Sequence, residues 1–372
     1  MLKNFWYALC LSTEVKEKPI RVTALGQELV VYRNSKHKAI AMSDLCVHRG
    51  GALSSGCVKH DSVVCPYHGW EYKSDGTCVK IPSYQEDIQI PRKARVDSYP
   101  TEEKYGFVWA FLGDLPEAER PPMPVFSEYE DPKYKPLWGD YKWDVNYTRA
   151  VENGMDIAHA PFVHAGSFGN RDEPEVESYE VEKLDWGGDA TVYLNPPPPA
   201  GIWGLLRGGK ERPLVKTTGG YRMPNITRLQ VCLPIGDFVL YVCHLPVSEN
   251  HTRSLWLQLR SFFTNKLFDR DSVGRVIKIF DEDRQTVSEQ RPQVVPYDLS
   301  AELHVRSDAI QVDFRKMRNK YIDMGWAIDT SLIQSEYDNM KTFVIPSPAR
   351  RENPEMQNSW VIQEVPTIPV SS

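Results

Sequence analysis

The sequence predicts an α+β chain, a β-rich front portion followed by an antiparallel sheet with helices set against it. Three observations carry this. Residues 1–115 hold short strand-like runs separated by glycine turns, Arg49-Gly50-Gly51 and Asp75-Gly76 among them. Residues 177–263 return to strand patterns, and residues 268–290 and 308–323 read as charged helices without proline.

In chain order, the opening Phe5-Trp6-Tyr7-Ala8-Leu9-Cys10-Leu11 is apolar but lacks a basic flank and a small-residue cleavage site, so it reads as a first strand and not a signal peptide. Gln27–Tyr32 and Gly106–Phe111 are further strands, and a small barrel or sandwich is expected. Residues 116–140 carry Pro116, Pro121, Pro122, Pro124, Pro132 and Pro136 and read as an extended linker. Residues 141–164 mix helix formers with polar residues. Leu229–Leu233 and Phe238–Val242 bracket Gly236-Asp237, a hairpin signal. Leu255, Leu257 and Leu259 alternate as in a half-buried strand. The tail, residues 346–372, is expected to be loosely ordered or to pack on a neighbour. No internal repeat is visible.

A chain of 372 residues with 41% hydrophobic content has room for about two domains with real cores. A net charge of −6, with no long Lys/Arg cluster, argues against a nucleic-acid binder. No run approaches the ~20 apolar residues of a membrane span. The cysteine count, 7, is odd and low, so reduced thiols or metal ligation are expected in place of a disulfide framework.

The first constellation is Cys46-Val47-His48-Arg49-Gly50 with Cys65-Pro66-Tyr67-His68-Gly69-Trp70. Each loop offers one thiolate and one imidazole, the set that a [2Fe–2S] cluster with mixed ligation needs, each loop giving one ligand to each iron. A zinc site takes the same ligands, but C-x-H and C-x-x-H fit finger spacing poorly. Cys10, Cys57, Cys78, Cys232 and Cys243 show no ligand spacing and read as small hydrophobes.

The second constellation is Asn153, Asp156, His159 and His164. Histidines five apart lie about 140° apart on a regular helix, but Pro161 disfavours helix at Ala160 and allows His164 to swing back. Two histidines and one carboxylate make the facial triad of Fe(II) oxygenases. The acidic run Asp281-Glu282-Asp283 is a source of the third group, with Asp281 and Glu282 pointing elsewhere on their helix.

CVHRGG and CPYHGW resemble the cluster loops of Rieske-type non-haem iron oxygenases, and N-x-x-D-x-x-H-x₄-H over 153–164 resembles their iron signature. The opening FWYALCLSTEV and the acidic helix are similar to the group that includes pheophorbide a oxygenase and the vanillate and dicamba O-demethylases. Respiratory Rieske proteins carry one more Cys in each loop; Gly51 and Tyr67 stand near those places here, which favours the oxygenase branch. The resemblance implies an all-β Rieske domain over 1–115 and a helix-grip (START/Bet v1-like) catalytic domain over 141–345. It implies that Cys46, His48, Cys65 and His68 hold the cluster, and that His159, His164 and Asp283 hold a mononuclear iron. Asp156 would bridge electrons from a cluster histidine of a neighbouring subunit in a homotrimer, with Asn153 beside the iron. The plant members' C-terminal anchor and C-x-x-C are absent, so a cytoplasmic, bacterial-type enzyme is expected.

The expected activity is O₂-dependent hydroxylation or oxidative demethylation of an aromatic or polycyclic small molecule, with a monooxygenase favoured over a cis-dihydroxylating dioxygenase. No G-x-G-x-x-G follows a strand and no P-loop is present, so NAD(P)H would act only through a separate reductase or ferredoxin. Trp203, Leu205, Leu206, Phe238 and Trp256 are candidate pocket lining, although core packing is the commoner role, and Asn195–Gly201 is a candidate lid or stiff connection. The alternatives are a Rieske electron-transfer protein without oxygenase activity and a zinc-stabilised binding protein.

Overall fold

A computed structural model describes residues 1–85, 87–196 and 213–369. Trp203, Leu205, Leu206 and most of the Asn195–Gly201 run lie outside the described residues. The chain forms two compact units: Met1–Pro124 with Leu245–Glu249 and Lys320–Ser372, and Val125–His244 with Asn250–Asn319.

The first unit is built from short antiparallel strands. β1 (Phe5–Leu11), β2 (Ile20–Ala24), β3 (Gln27–Arg33), β4 (Ala39–Ser43), β5 (Cys57–Lys59), β6 (Ser62–Val64), β7 (Glu71–Lys73), β8 (Cys78–Lys80), β9 (Ser98–Tyr99), β10 (Thr101–Lys104) and β11 (Phe107–Leu112) follow one another. They make three sheets, ordered β1-β11-β10, β2-β3-β4-β9 and β5-β6-β7-β8. Val30, Tyr32, Met42, Leu53, Val63 and Tyr72 form a core that includes Cys46 and Cys65. The first-strand reading of 5–11 holds.

The tail does not hang loose. Ile345 and Ser347 are buried. Asp97 accepts from Ser347 N (2.9 Å) and Oγ (2.8 Å) and from Arg350 Nε (2.8 Å) and Nη2 (2.7 Å). A buried carboxylate filled by charge-assisted bonds fastens the tail to its own chain, because neither ion can leave without stranding the other. Residues 320–345, expected with the catalytic part, group with the first compact unit, where Tyr321 and Trp326 pack on Phe5 and Ile328 N donates to Met1 O.

The second unit is a seven-stranded antiparallel sheet, ordered β12-β18-β17-β16-β15-β14-β13. Its strands are β12 (Lys135–Trp143), β13 (Glu177–Leu184), β14 (Gly187–Leu194), β15 (Val215–Arg222), β16 (Ile226–Leu233), β17 (Gly236–Ser248) and β18 (His251–Arg260). The helices are α1 (Tyr147–Met155), α2 (Ala160–Val163), α3 (Asp269–Val287) and α4 (Ala309–Asp323). α3 packs Val276 and Phe280 onto Trp143, Leu240, Val242 and Trp256 of the sheet.

Three local expectations are corrected. The linker ends early, since Lys135–Asp140 pair with β18. The β16–β17 turn is Pro234-Ile235, because Leu233 pairs with Gly236; Gly236, at φ 137°, opens the next strand. β18 is buried on both faces at its end, not half-buried: Trp256, Gln258 and Arg260 are as buried as Leu255, Leu257 and Leu259, because the second strand of the sheet also lies under α3.

Removing one partner of the Asp97–Arg350 pair leaves a buried charge unpaired. Asp97→Ala is expected to destabilise the first unit by about 3 to 5 kcal/mol, measured by urea unfolding. The Asp97→Leu/Arg350→Met double variant is expected to lose less than either single change.

Candidate metal centre and cluster site

The two cysteine–histidine loops share one backbone design. Cys46 N donates to Gly51 O (3.0 Å) and Gly50 N to Cys46 O (2.8 Å); Cys65 N donates to Trp70 O (2.8 Å) and Gly69 N to Cys65 O (3.0 Å). Gly50 and Gly69 close these turns at φ 67° and 72°, where a Cβ would be strained. The thiols of Cys46 and Cys65 are buried at 2% exposure each, while His48 is half-buried and His68 exposed. The imidazoles approach to 4.5 Å between centroids, and His48 stacks on Trp70 at 4.6 Å.

Two observations fit a cluster in this cradle. His48 Nδ1 is buried without a hydrogen-bond partner among the described residues. A Cβ added at Gly51 would lie 3.1 Å from Cys65 Sγ, so only glycine leaves that space open. The same Cβ would sit 3.5 Å from Tyr67 Cβ, a separation a disulfide would accept; the two positions face each other, and neither bears a thiol. Tyr72 Oη lies 3.1 Å from Cys46 Sγ. Burial pushes the Cys46 thiol pKa up, against the Tyr72 hydrogen bond, which pulls it down.

In the second unit, α1 begins at Asn146, whose side chain accepts from Thr148 N at 3.0 Å. It ends at Asp156, where ψ of 129° turns the chain away. This is where the helix breaks. Pro161 does not break it: it sits in the first turn of α2, where its missing N–H costs nothing. His159 and His164 flank this one-turn helix.

Asp283, on α3, completes the group. His159 Nε2 and His164 Nε2 are 3.2 Å apart, and Asp283 Oδ1 lies 3.3 and 3.2 Å from them. Neighbouring ligands of a first-row metal with bonds near 2.1 Å stand about 3.0 to 3.4 Å apart, so this triangle is of the size such an ion requires. Asp283 Oδ1 and His159 Nδ1 are buried with no hydrogen-bond partner among the described residues. Burial works to lower the His159 pKa, but Asp156 and Asp283 overcome it and raise it to about 9. Burial works the other way on Asp283, and both imidazoles hold its pKa below the usual carboxylate value.

The expectation that Glu282 points elsewhere is overturned. Glu282 Oε2 lies 2.8 Å from His164 Nδ1, and Oε1 accepts from Ser167 Oγ at 2.6 Å. It therefore orients the ring whose other nitrogen faces Asp283. Asp281 does turn away, accepting from Tyr141 Oη at 2.6 Å. Asp156 Oδ1 accepts from Ala158 N at 2.9 Å, and its Oδ2 stands 3.5 Å from His159 Nδ1 with the side chain 29% exposed.

The triangle opens on a cavity of about 820 Å³ with a mainly apolar wall, bordered by Asn153, Asp156, Leu229, Phe238, Leu240 and Val242 among others. Phe238 is thus lining, whereas Trp256 packs in the core. Sequence reading missed His244, which borders the cavity and bonds Thr227 Oγ1 (3.0 Å) and Ser254 Oγ (2.8 Å). Burial lowers its pKa to about 3, so it is neutral.

Comparison with known proteins matches two domain families. Residues 5–100 match the Rieske [2Fe-2S] domain family, and residues 143–324 match the vanillate O-demethylase oxygenase C-terminal domain family. The chain is 28% identical over 326 residues to the methylxanthine N1-demethylase NdmA of Pseudomonas putida, covering 85% of this chain and 88% of that one. It is 26% identical to the vanillate O-demethylase oxygenase subunit of a Pseudomonas species, covering 86% and 94%. The solved structure of P. putida NdmA with caffeine superposes with a TM-score of 0.73 at 26% identity, covering 84% of this chain and 89% of that one. Among the described residues, no helix is long and apolar enough to cross a membrane.

Divalent metal binding at the triangle must displace the His159 proton. Affinity for Co(II) is therefore expected to rise about tenfold per pH unit below pH 9 and to flatten above it. Glu282→Gln is expected to weaken that binding roughly 10- to 100-fold. Equilibrium dialysis of Co(II) across pH measures both.

Proposed function

Because this chain belongs to the Rieske non-haem iron oxygenases, as an oxygenase component, we propose that His159, His164 and Asp283 hold its mononuclear iron and that Cys46, His48, Cys65 and His68 hold its [2Fe–2S] cluster. The observation that carries the reading is the triangle of two imidazole nitrogens and one carboxylate oxygen, with edges of 3.2 to 3.3 Å, on the wall of an 820 Å³ cavity. A bare electron carrier needs neither, and the second-domain family match goes against that alternative.

When bound, the cluster supplies single electrons and the iron supplies reductive activation of O₂. The chain's own residues do the rest. Glu282 holds His164 in one orientation, and Asp156 stands beside His159. Asp156 keeps part of its carboxylate exposed, as does His68 its ring. This suits an electron route in a homotrimer, from the cluster histidine of one subunit through Asp156 to His159 of the next. Asn153 borders the cavity near the triangle without being one of its three groups.

The reaction is insertion of one oxygen atom of O₂ into a C–H bond, the other leaving as water with two electrons and two protons. At a methyl on oxygen or nitrogen, the hydroxymethyl product loses formaldehyde, and the net result is demethylation. The demethylase relatives and the mainly apolar wall support an aromatic or heterocyclic substrate. Electrons come from NAD(P)H through a separate reductase or ferredoxin, and the cytoplasm, where thiols stay reduced, is the expected compartment.

Metal analysis of the loaded protein is expected to give about three irons per chain, two in the cluster and one at the triangle; two would leave only an electron carrier. Asp156→Asn is expected to keep the reduced-state cluster EPR signal and all iron yet nearly abolish formaldehyde release from a methyl ether substrate. Undiminished turnover by that variant would remove Asp156 from the electron route.

A further inference from the structure

The sheet β5-β6-β7-β8 turns a charged face to solvent. Val58 pairs with Val63 and Val63 with Tyr72, and these side chains point inward, onto the core that includes Cys46 and Cys65. Their neighbours along each strand point the other way, by the strand's period of two. Lys59 pairs with Ser62 and Ser62 with Lys73 in one outer row; Val64 pairs with Glu71 and Glu71 with Lys80 in the next. Lys59, Lys73 and Lys80 are exposed. Glu71, its side chain 14% exposed, lies 3.6 Å from both Lys59 and Lys80, which keep 52% and 53% of theirs in solvent. One carboxylate among these lysines leaves the face positive.

Both borders of the face carry more cations. Asp61 accepts from Ser35 N (3.1 Å) and Oγ (2.7 Å), which holds the turn bearing the exposed Lys36 and Lys38 against the turn between β5 and β6. Cys78 N donates to Ala94 O (2.9 Å), which sets the exposed Arg92 and Lys93 alongside β8. Asp61 and Asp75, in the turns of the sheet, offset only part of this charge. The chain as a whole carries −6. An acidic protein is therefore repelled by the average surface and drawn to this patch, which gives the encounter an orientation.

The same strands lead to the thiols. Cys65 follows Val64, the last residue of β6, and Trp70 precedes Glu71, the first of β7. Tyr72 reaches inward from β7 to Cys46 Sγ, at 3.1 Å. A protein seated on the lysines thus lies over the strands that carry one cysteine directly and touch the other through a tyrosine.

We infer that this lysine face is the docking site of the electron donor, and that the donor is a small acidic iron–sulfur protein of the ferredoxin type. This rests on the reading that Cys46, His48, Cys65 and His68 hold the cluster and that the histidine edge serves the next subunit. The donor then needs a second approach, and the lysine face supplies it. One electron leaves the donor's reduced cluster and enters the oxidised cluster of this chain, with no bond made or broken. A plant-type cluster held by cysteines alone has the lower potential of the two, which sets the direction. Contacts of this kind are small and guided by charge, as a face of exposed lysines on short strands provides.

The probe is a plant-type [2Fe–2S] ferredoxin of strongly negative net charge, and the target is the iron-loaded full-length protein. Calorimetry at low salt gives Kd, and anaerobic stopped-flow absorbance gives the second-order rate of cluster reduction. Lys59→Glu/Lys73→Glu/Lys80→Glu is expected to raise Kd and lower that rate about tenfold or more, and salt raised to about 0.5 M is expected to do the same to the wild type. Lys16→Glu/Lys18→Glu, at exposed positions between β1 and β2, is expected to stay within about twofold of the wild type. Lys73→Glu alone is expected to cost about threefold, and it carries the test if the triple variant fails to fold. No binding of the ferredoxin by the wild type, no loss in the lysine-face variants, or an equal loss in the Lys16/Lys18 variant overturns the proposal. A changed oligomeric state of the triple variant by light scattering also overturns it, by making the face a contact between copies of this chain. A wild-type protein without a reduced-state Rieske EPR signal overturns the cluster reading and the docking face with it; a normal signal with rates indifferent to the lysines overturns the docking face alone.

Discussion

Two imidazole nitrogens and a carboxylate oxygen held within 3.3 Å of one another are an arrangement that a chain keeps only if other interactions impose it. Here the imposition comes from α1. Gly154 lies so close to β16 that a Cβ would fall 2.7 Å from Thr227 Oγ1. On another side, Arg149 and Glu152 join Arg315 and Glu302 in a buried network of two cations and two anions, with contacts from 2.5 to 3.2 Å. Opposite charges in contact offset much of the hydration lost on burial, and Glu302 keeps part of its side chain in solvent. The helix that ends at Asp156 is thus fixed before the turn to His159 and His164 begins, and α3 brings Asp283 to meet them.

The same logic of burial divides the cluster loops. The thiols lie in the apolar core, where a thiolate is stable only against metal, and the imidazoles lie outward. The pair of loops is thereby closed on the cysteine side and open on the histidine side. Tyr72 Oη is buried within hydrogen-bonding distance of Cys46 Sγ, at 3.1 Å.

The cavity combines these parts. The His159–His164–Asp283 triangle opens on its mainly apolar wall. Neutral His244, locked between Thr227 and Ser254, adds polarity without charge.

What the sequence determined by itself was local. Each of the two loops packs one cysteine, one histidine and a left-handed glycine into about six positions, so Cys46, His48, Cys65 and His68 stand out by spacing, as do His159 and His164 by the motif around them. The strand-rich front, the later antiparallel sheet and the helix bearing Asp283 follow from periodicity. Tertiary structure alone decided what meets across long separations. Glu282 reaches His164 from 118 residues away. The turn at Pro234-Ile235, the tail fastened to Asp97, the burial of both faces of β18 and the cavity itself also arise from pairing and packing between distant segments. A helical period says which side of α3 is polar, but only the elements packed against it decide which of three consecutive acids meets a tyrosine, one imidazole or a pair of them.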